Sequence, residues 1–270
     1  MNSEPSENWR KIHHWDLVIP PSRPSVEQLQ ILRAFLRSDS RIATAAVLGS
    51  TVEYINLLQQ FEVKTYVFEK DTYYYEQRKV DLFSKQTPSL VVGDWRGTLD
   101  NYQGRFDIIV SDLTSGNIPY FEQGLFWKKI SYALAPGGLF FDKILTHPKP
   151  LIPLRQLFSK YSEFPVNIQT ANYFSCEALF CSELLEELGY IDTTYSYRLL
   201  SEYSSETWWS RLLEGCKKIT PEDCVWYYGE SWSKQSERYF AHFCPILDRP
   251  DFNESPYYGR VKIIASKAKG

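Results

Sequence analysis

A glycine and an acidic residue, about twenty residues apart, are the first features of this sequence that could do chemistry. Residues 45–48 form a short apolar run that breaks at Gly49, and Glu69 ends the next apolar run along the chain. A glycine lets the backbone approach a ligand closely, a helix start offers free N–H groups, and a carboxylate accepts hydrogen bonds from both hydroxyls of a ribose. This spacing is typical of a β-α-β unit that binds a nucleoside.

Two more acids follow the strands that are predicted after that unit. Residues 89–92 are predicted to form a strand followed by Asp94, and residues 106–111 a strand followed by Asp112. A fifth strand is predicted at residues 139–145, after a helical segment and a Pro-Gly-Gly turn. Strands that alternate with helices predict a parallel sheet with helices on both faces, and the carboxyl ends of its strands share one edge. We therefore expect these acids to lie together along that edge.

Over residues 41–145, and again at the C-terminal end, the sequence resembles the class I S-adenosylmethionine-dependent methyltransferases. The matching motifs are Leu48-Gly49-Ser50-Thr51, Glu69, Gly93-Asp94-Trp95, Asp112-Leu113 and Leu134-Ala135-Pro136-Gly137-Gly138. The resemblance implies that Glu69 binds the ribose of the cofactor, that Asp94 accepts a hydrogen bond from its adenine, and that Asp112 lies at the methyl-transfer site. The cofactor-binding residues it implies are Gly49, Ser50, Thr51, Glu53, Glu69, Lys70, Asp94, Trp95 and Asp112.

The cofactor loop departs from the usual pattern of that family, which carries several glycines. Only Gly49 remains here, and Thr51 and Glu53 stand in the other two places. A subset of the family with a Leu-Gly-x-Thr-x-Glu loop looks similar, and it implies no single substrate. The resemblance therefore predicts the cofactor, S-adenosylmethionine, without predicting the acceptor.

Asp112 and His147 are the candidate catalytic residues. The resemblance places a carboxylate at the position of Asp112, near the amino group of the cofactor or near the acceptor. His147 lies just beyond the fifth strand and is the imidazole best placed to act as a general base, because ligands bind at the carboxyl ends of the strands. The alternative for His147 is an ordinary solvent-exposed loop position, and Lys143 is an alternative side chain for the same crevice.

Several candidate residues also fit other roles. Asp94 would fit turn formation after a strand, and Trp95 would either stack on the adenine or cover the edge of the core. The N-terminal segment with His13 and His14 would fold over the cofactor as a lid, where Arg23 would pair with the carboxylate of the cofactor.

Composition limits the class of protein. The 270 residues, 43% of them hydrophobic, can bury one substantial core with a subsidiary lobe. A net charge of −3 and a pI near 5.9 predict no basic face for a phosphate backbone, so nucleic acid is not an expected partner. No apolar run could span a bilayer and the first residues lack a signal-peptide pattern, so we expect a soluble, cytoplasmic protein. The five cysteines and four histidines lack the spacing of a metal site.

The chain is predicted to divide into four parts. Residues 1–40 form an N-terminal extension and helix, residues 41–147 a cofactor-binding core, residues 148–237 an insertion rich in helix and aromatic residues, and residues 238–270 a C-terminal hairpin. The predicted fold class is α/β, with a Rossmann-like, mostly parallel sheet of seven strands. Its last two strands form an antiparallel hairpin, and the helical insertion lies between strands five and six. Within the insertion, residues 170–188 are predicted to form one long helix.

The predicted activity is transfer of a methyl group from S-adenosylmethionine to an oxygen or nitrogen of a small-molecule acceptor. The insertion is expected to line the acceptor pocket, with Tyr195, Trp209 and Tyr228 as first candidates, although most of its aromatic residues would be core. Methylation of a peptide or protein is the alternative activity, and a cofactor-binding scaffold without activity is the alternative from another class. A nicotinamide-dependent oxidoreductase is disfavoured by the missing glycines and the terminal hairpin.

Overall fold

The computed structural model describes residues 20, 23–83, 87–146, 151–178, 180–228, 231–250 and 261–269. Three histidines named above lie outside the described residues, namely His13, His14 and His147. The roles predicted for them therefore stay predictions.

Seven strands form one central sheet, in the order β3-β2-β1-β4-β5-β9-β8. They are β1 (Thr44–Leu48), β2 (Lys64–Glu69), β3 (Ser89–Val92), β4 (Phe106–Asp112), β5 (Leu134–Leu145), β8 (Phe243–Pro250) and β9 (Val261–Ala268). The first five strands are parallel, and β9 is antiparallel to both of its neighbours. Two shorter strands, β6 (Ile191–Asp192) and β7 (Val225–Trp226), pair with each other away from this sheet. The predicted fold class is confirmed, including the antiparallel hairpin at the end of the chain.

The described residues form eleven α-helices. They are α1 (Val26–Ser38), α2 (Val52–Gln60), α3 (Thr72–Arg78), α4 (Trp95–Thr98), α5 (Tyr120–Ala133), α6 (Leu154–Ser162), α7 (Ile168–Ala178), α8 (Ser182–Leu188), α9 (Thr193–Tyr203), α10 (Thr207–Lys217) and α11 (Trp232–Phe240). Among them, no helix is long and apolar enough to cross a membrane. The predicted start of α1 is confirmed, because the Ser25 hydroxyl accepts from the N–H of Gln28 and the Gln28 side chain accepts from the N–H of Ser25.

The alternation of side chains along each strand builds two cores, one on each face of the sheet. On β4, Ile108 and Val110 pack with α1 and α2, whereas Ile109 packs on the opposite face with α5 and α11. Both faces of the inner parallel strands β1 and β4 are covered, and the apolar runs that predicted these strands are buried for this reason, whereas the edge strand β3 is partly exposed. At the carboxyl ends of the strands the apolar runs stop, and polar residues follow.

Helices α6 to α10 and strands β6 and β7 form a lobe, residues 151–228, with its own core. A second cluster joins this lobe to the sheet, because Phe180 and Tyr228 of the lobe pack with Leu145 and Val261 at the ends of β5 and β9. Helix α11, which crosses the predicted boundary at residue 237, packs against α5 and β8. The lobe therefore lies at the edge of the sheet where the carboxyl ends of the parallel strands meet.

The prediction of a single long helix at residues 170–188 is wrong. The chain forms α7 and then α8, because between them the N–H of Ser182 donates to the carbonyl of Ile152 at 3.1 Å, and Ile152 pairs with Cys181 as an isolated bridge. The carboxylate of Glu183 also accepts from the N–H of Leu154. These contacts come from a distant part of the chain, and they outweigh the helical spacing of the sequence.

Candidate functional site

Gly49 and Glu69 lie side by side at the ends of β1 and β2. The N–H of Gly49 donates to the carbonyl of Phe68 at 2.9 Å, which holds the loop after β1 against the end of β2. Gly49 has φ +92°, which an L residue rarely adopts, and among the described residues, its two chain neighbours apart, no atom lies within 4 Å of the position that a Cβ would take. A ligand could therefore approach this backbone closely.

The carboxylate of Glu69 is held in place by the cofactor loop that the sequence predicted. Its Oε2 accepts from the hydroxyl of Ser50 at 2.7 Å, and its Oε1 accepts from the N–H of Asp71 at 3.2 Å. Burial raises the pKa of Glu69, and the hydroxyl of Ser50 and nearby backbone N–H groups oppose that rise. The Ser50 hydroxyl and the Asp71 N–H thus orient both oxygens of the carboxylate, and a carboxylate oxygen can accept more than one hydrogen bond.

Helix α2 starts at this loop and brings Glu53 into the site. Thr51 is the N-cap residue, and Glu53 in the first turn makes an ion pair with Arg23. Arg23 was expected to pair with a carboxylate of the cofactor, and in the structure its guanidinium contacts a carboxylate of the chain itself. Lys70, the next residue after β2, is exposed.

Asp94 follows β3 and caps α4. Its Oδ1 accepts from the N–H and the Nε of Arg96, both at 2.9 Å, and its Oδ2 accepts from Nη2 of Arg96 at 2.5 Å. Arg96 also donates to Glu122 of α5 at 2.5 Å. The hydrogen bonds and charge of Arg96 lower the pKa of Asp94 although its partial burial has the opposite effect. Trp95 packs edge-on against Phe126, which ties it to the core.

Asp112 ends β4 and contacts a buried lysine. Lys143 of β5 is its register partner, and the Lys143 ammonium makes an ion pair with the Asp112 carboxylate. The side chains are 0% and 7% exposed, respectively. Lys143 Nζ also donates to the backbone carbonyl of Arg23 at 3.1 Å. Burial raises the pKa of Asp112, Lys143 opposes that rise, and Glu53 adds to it.

A second buried acid lies on the other face of the same two strands. Asp142 precedes Lys143, and because strand side chains alternate, it points towards α11 and away from the ion pair. It is fully buried beside Ser111, its register partner on β4. Burial raises the pKa of Asp142 well above its usual value; the Ser111 hydroxyl opposes the rise, and Asp112 adds to it.

The backbone directly after Asp112 takes an unusual conformation. Leu113 has φ +57°, in the left-handed region that non-glycine residues seldom occupy. Its N–H donates to the carbonyl of Lys143 at 3.1 Å, and its carbonyl accepts from the hydroxyl of Tyr228 at 3.0 Å. These bonds hold the turn that follows the candidate catalytic carboxylate.

The lobe meets this turn through two tyrosines. The N–H of Tyr227 donates to the carbonyl of Gly116 at 2.7 Å, and a Cβ at Gly116 would lie 1.8 Å from the ring of Tyr228. A glycine is therefore required at position 116, because the ring of Tyr228 leaves no space for a side chain there. Burial raises the pKa of Tyr228, and the charges of Asp112 and Asp142 add to the rise. Tyr228 thus lies close to both buried acids.

The other aromatic candidates of the lobe lie in or against its own core. Trp209 is 0% exposed and its Nε1 donates to the carbonyl of Leu200 at 2.7 Å. Tyr195 packs against the same cluster. Of the three aromatic residues first considered for an acceptor pocket, only Tyr228 contacts the strand-end loops.

Sequence reasoning missed two features of this site. It identified Asp112 but not its pairing with Lys143, which depends on the register of β4 and β5, and it gave no role to Asp142. One signal was present, because two charged residues inside an otherwise apolar strand are unusual. Within the described ranges, no group of three or more His, Cys, Asp or Glu side chains could hold a metal ion.

No protein-family model matches the chain, and no curated protein matches its sequence. Solved structures match its fold. A TehB-like methyltransferase from Corynebacterium glutamicum superposes with a TM-score of 0.53 at 10% identity, covering 98% of this chain and 100% of that one. The 1,6-didemethyltoxoflavin-N1-methyltransferase of Burkholderia thailandensis, solved with S-adenosylhomocysteine, superposes with a TM-score of 0.52 at 10% identity. The match covers 90% of this chain and 79% of that one.

A Rhodobacter sphaeroides structure named for the Zn-dependent alcohol dehydrogenases gives a TM-score of 0.60 at 13% identity, covering 98% of this chain and 97% of that one. At these identities the likeness concerns the fold alone. The sheet order β3-β2-β1-β4-β5-β9-β8, with the antiparallel β9 beside β5, agrees with the fold predicted from the sequence. The chain has the fold of the class I S-adenosylmethionine-dependent methyltransferases.

Proposed function

We propose that this protein is an enzyme that transfers a methyl group from S-adenosylmethionine to an oxygen or nitrogen of a small molecule. The observation that carries the proposal is the arrangement of Gly49, Ser50 and Glu69 at the ends of β1 and β2. An open, positive-φ glycine lies beside a carboxylate that the loop hydroxyl orients at 2.7 Å. This arrangement fits a ribose, and it lies in a sheet of the methyltransferase order.

The proposal gives the contacts with the cofactor to Glu69 and to the loop after β1. Glu69 would accept hydrogen bonds from the two ribose hydroxyls, and the backbone at Gly49, Ser50 and Thr51 would lie against the cofactor. Of the residues named for cofactor binding, Glu53, Lys70, Asp94 and Trp95 carry weaker geometric support. Glu53 is paired with Arg23, Asp94 with Arg96, Trp95 packs on Phe126, and Lys70 is exposed.

S-adenosylmethionine would supply a methyl group on a sulfonium, which is already an activated electrophile. The chain then has to hold the acceptor in line, about 3 Å from that methyl group, and to take up a proton where the acceptor carries one. Asp112 is the first candidate for proton uptake because it ends β4 at the carboxyl edge of the sheet, and burial raises its pKa. His147 is the second candidate base.

Calorimetric titration with S-adenosylhomocysteine and with NAD tests the cofactor. We expect the first to bind and the second not to bind; the opposite result would favour an oxidoreductase. Glu69→Ala should abolish most of the affinity, whereas Glu76→Ala, an exposed acid of α3 paired with Lys79, should leave it unchanged.

A mass-spectrometric screen tests the acceptor. The protein would be incubated with S-adenosylmethionine and a pool of metabolites, and in parallel with a pool of peptides, and each product examined for the mass gain of one methyl group in place of hydrogen. A gain among metabolites supports the proposal, and a gain only among peptides supports the alternative of peptide or protein methylation. Cofactor binding without any methylated product would favour the scaffold without activity.

A further inference from the structure

A tyrosine hydroxyl lies beside two cations near the amino end of the sheet. Lys64 and Tyr66 are two residues apart on β2, so their side chains lie on the same face of that strand. Arg105 directly precedes β4, and its Nη2 donates to the hydroxyl of Tyr66 at 3.2 Å. The ammonium of Lys64 lies 5.5 Å from the centroid of the Tyr66 ring. The phenol oxygen therefore contacts one cation and has a second one close to it.

The ring of Tyr66 and the backbone of Arg105 are both held in place. The ring packs edge-on against Tyr102 and Phe106, with centroids 6.0 Å and 5.5 Å away. The N–H of Arg105 donates to the carbonyl of Ala133 at 2.9 Å, which anchors this residue to the end of α5. Tyr66 is half-buried, and its hydroxyl faces solvent. A small reagent from solvent could therefore reach the phenol oxygen.

The two cations are not neutralised by carboxylates of the described residues. Within those ranges, neither Lys64 nor Arg105 forms an ion pair or a hydrogen bond with an acidic side chain. Asp107 is the acid nearest to Arg105 in sequence, and its carboxylate accepts from two backbone N–H groups at the start of β1, at 3.0 and 2.8 Å. Glu62 precedes β2 and is exposed. Both positive charges can therefore act on the phenol oxygen.

Cations beside a phenol oxygen favour its ionised form. The hydrogen bond from Arg105, and after it the Lys64 ammonium, lower the pKa of Tyr66, whereas partial burial has the opposite effect. Tyr102 is the other titratable group near Arg105. The ionised form of a side chain is the stronger nucleophile, and a lowered pKa makes more of it available at neutral pH. We therefore expect Tyr66 to be more nucleophilic than a tyrosine without cationic neighbours.

We propose that Tyr66 is a site of covalent modification, at which its phenol oxygen attacks an electrophile with a tetrahedral sulfonyl centre. With a sulfonyl fluoride, a bond forms between the phenol oxygen and sulfur, and the bond between sulfur and fluorine breaks. Fluoride leaves, and the phenol proton passes to solvent. Lys64 and Arg105 stabilise the phenolate and the charge that develops on the sulfonyl oxygens. The inference does not depend on the proposed function, because Gly49 and Glu69 lie at the opposite ends of their strands.

Labelling of the full-length protein with benzenesulfonyl fluoride tests the site. The rate of modification at each tyrosine is measured near neutral pH by digestion and mass spectrometry. Tyr132 is the reference, because it is 45% exposed and its hydroxyl donates to the neutral amide of Gln103 at 2.7 Å. We expect Tyr66 to react about 5- to 20-fold faster, since one pKa unit changes the phenolate fraction about tenfold. A rate at Tyr66 equal to or below that at Tyr132 would overturn the proposal.

Variants of the two cations locate the cause of the reactivity. Arg105→Met and Lys64→Met should each slow the modification of Tyr66 about 3- to 10-fold and leave the rate at Tyr132 unchanged, since exposed charges act with partial screening. Arg105→Lys keeps a positive charge and should retain most of the rate. Arg211→Met removes an exposed arginine of α10 and serves as the control without effect. If neither methionine variant slows the modification of Tyr66, the proposal is wrong. Should Arg105→Met unfold, the exposed position of Lys64 carries the test.

The pH dependence of labelling distinguishes activation by the cations from simple exposure. The rate at Tyr66 should reach half its maximum at a lower pH than the rate at Tyr132, and in Arg105→Met this midpoint should move to higher pH. The same midpoint for both tyrosines in the wild type would contradict activation by Lys64 and Arg105. Labelling needs no cofactor, so its outcome is independent of the titration with S-adenosylhomocysteine.

Discussion

The buried ammonium of Lys143 contacts the carboxylate of Asp112, and this contact joins the ends of β4 and β5. Lys143 also donates to the carbonyl of Arg23, whose guanidinium pairs with Glu53 of α2. One lysine thus connects two strands, the segment before α1 and, through Arg23, the start of α2. The candidate catalytic carboxylate is part of a buried network of charges, and this has consequences for stability.

Lys143→Met should destabilise the fold by about 3 to 5 kcal/mol at neutral pH, because it leaves Asp112 buried without its cation. The double variant Lys143→Met/Asp112→Leu should recover most of that loss, since the pair is then replaced by apolar groups. Urea denaturation of the two variants and the wild type measures both values. A single variant within about 1 kcal/mol of the wild type would show that the ion pair is not formed.

Asp142 should make the stability of the protein depend on pH. Its pKa is raised well above that of an unfolded aspartate, about 4, so between these two values the folded state binds more protons than the unfolded state. The free energy of unfolding should therefore fall as pH rises through that interval. Asp142→Asn should reduce this slope and be more stable than the wild type at neutral pH. Denaturation at several pH values checks this, with Asp100→Asn, which is largely exposed, as a control that should keep the slope.

Glu69→Ala should weaken the binding of S-adenosylhomocysteine by about 2 to 3 kcal/mol, or roughly 30- to 150-fold, because charged hydrogen bonds to two ribose hydroxyls are lost. In the wild type, affinity should also fall on acidification, since the pKa of Glu69 is raised and its protonated form accepts less well. Titration calorimetry at two pH values measures both effects. Unchanged affinity for S-adenosylhomocysteine in a folded Glu69→Ala protein would show that Glu69 does not bind the ribose.

Gly116→Ala should destabilise the contact between the lobe and the turn after β4, because its Cβ would lie 1.8 Å from the ring of Tyr228. Tyr228→Ala removes that ring, so the double variant should be no less stable than Tyr228→Ala alone. Gly124→Ala on α5 is the matched control. In the part of the chain that the structure describes, no atom outside its own helix backbone and its chain neighbours lies within 4 Å of this Cβ position, so the variant should raise stability by about 0.5 to 1 kcal/mol. If the stability losses of Gly116→Ala and Tyr228→Ala add up in the double variant, Gly116 and Tyr228 are not in contact.

Trp209→Phe should act on stability and not on acceptor choice. The substitution removes the hydrogen bond to the carbonyl of Leu200 and leaves a space in the lobe core, which together should cost about 1 to 3 kcal/mol. Once an acceptor is known, its KM should be unchanged within twofold in the folded variant, an effect of about 0.4 kcal/mol. A larger change in KM at an unchanged melting temperature would indicate that Trp209 contacts the acceptor.

The sheet was predictable from the sequence because the relevant signals are local. Apolar runs such as residues 45–48 and 106–111 are buried on both faces of the sheet. Each run therefore predicts a strand without knowledge of the strands beside it. The turn glycines and the acids Glu69, Asp94 and Asp112 at strand ends follow from the same local pattern. A capping box at Ser25 and Gln28 fixed the start of α1 in the same way.

Contacts between distant segments decided the rest. The pairing of Asp112 with Lys143 depends on the register of two strands, and the break between α7 and α8 depends on Ile152, some thirty residues earlier. The aromatic residues of the lobe look alike in sequence, yet Trp209 is enclosed in a core while Tyr228 lies against Leu113. By itself the sequence determined the order of strands and helices and the acids at the strand ends, because hydrophobic periodicity and turn residues act over a few positions. Only the tertiary structure decided which charges are paired and which aromatic rings are buried, because burial and electrostatic pairing are set by groups far apart in the chain.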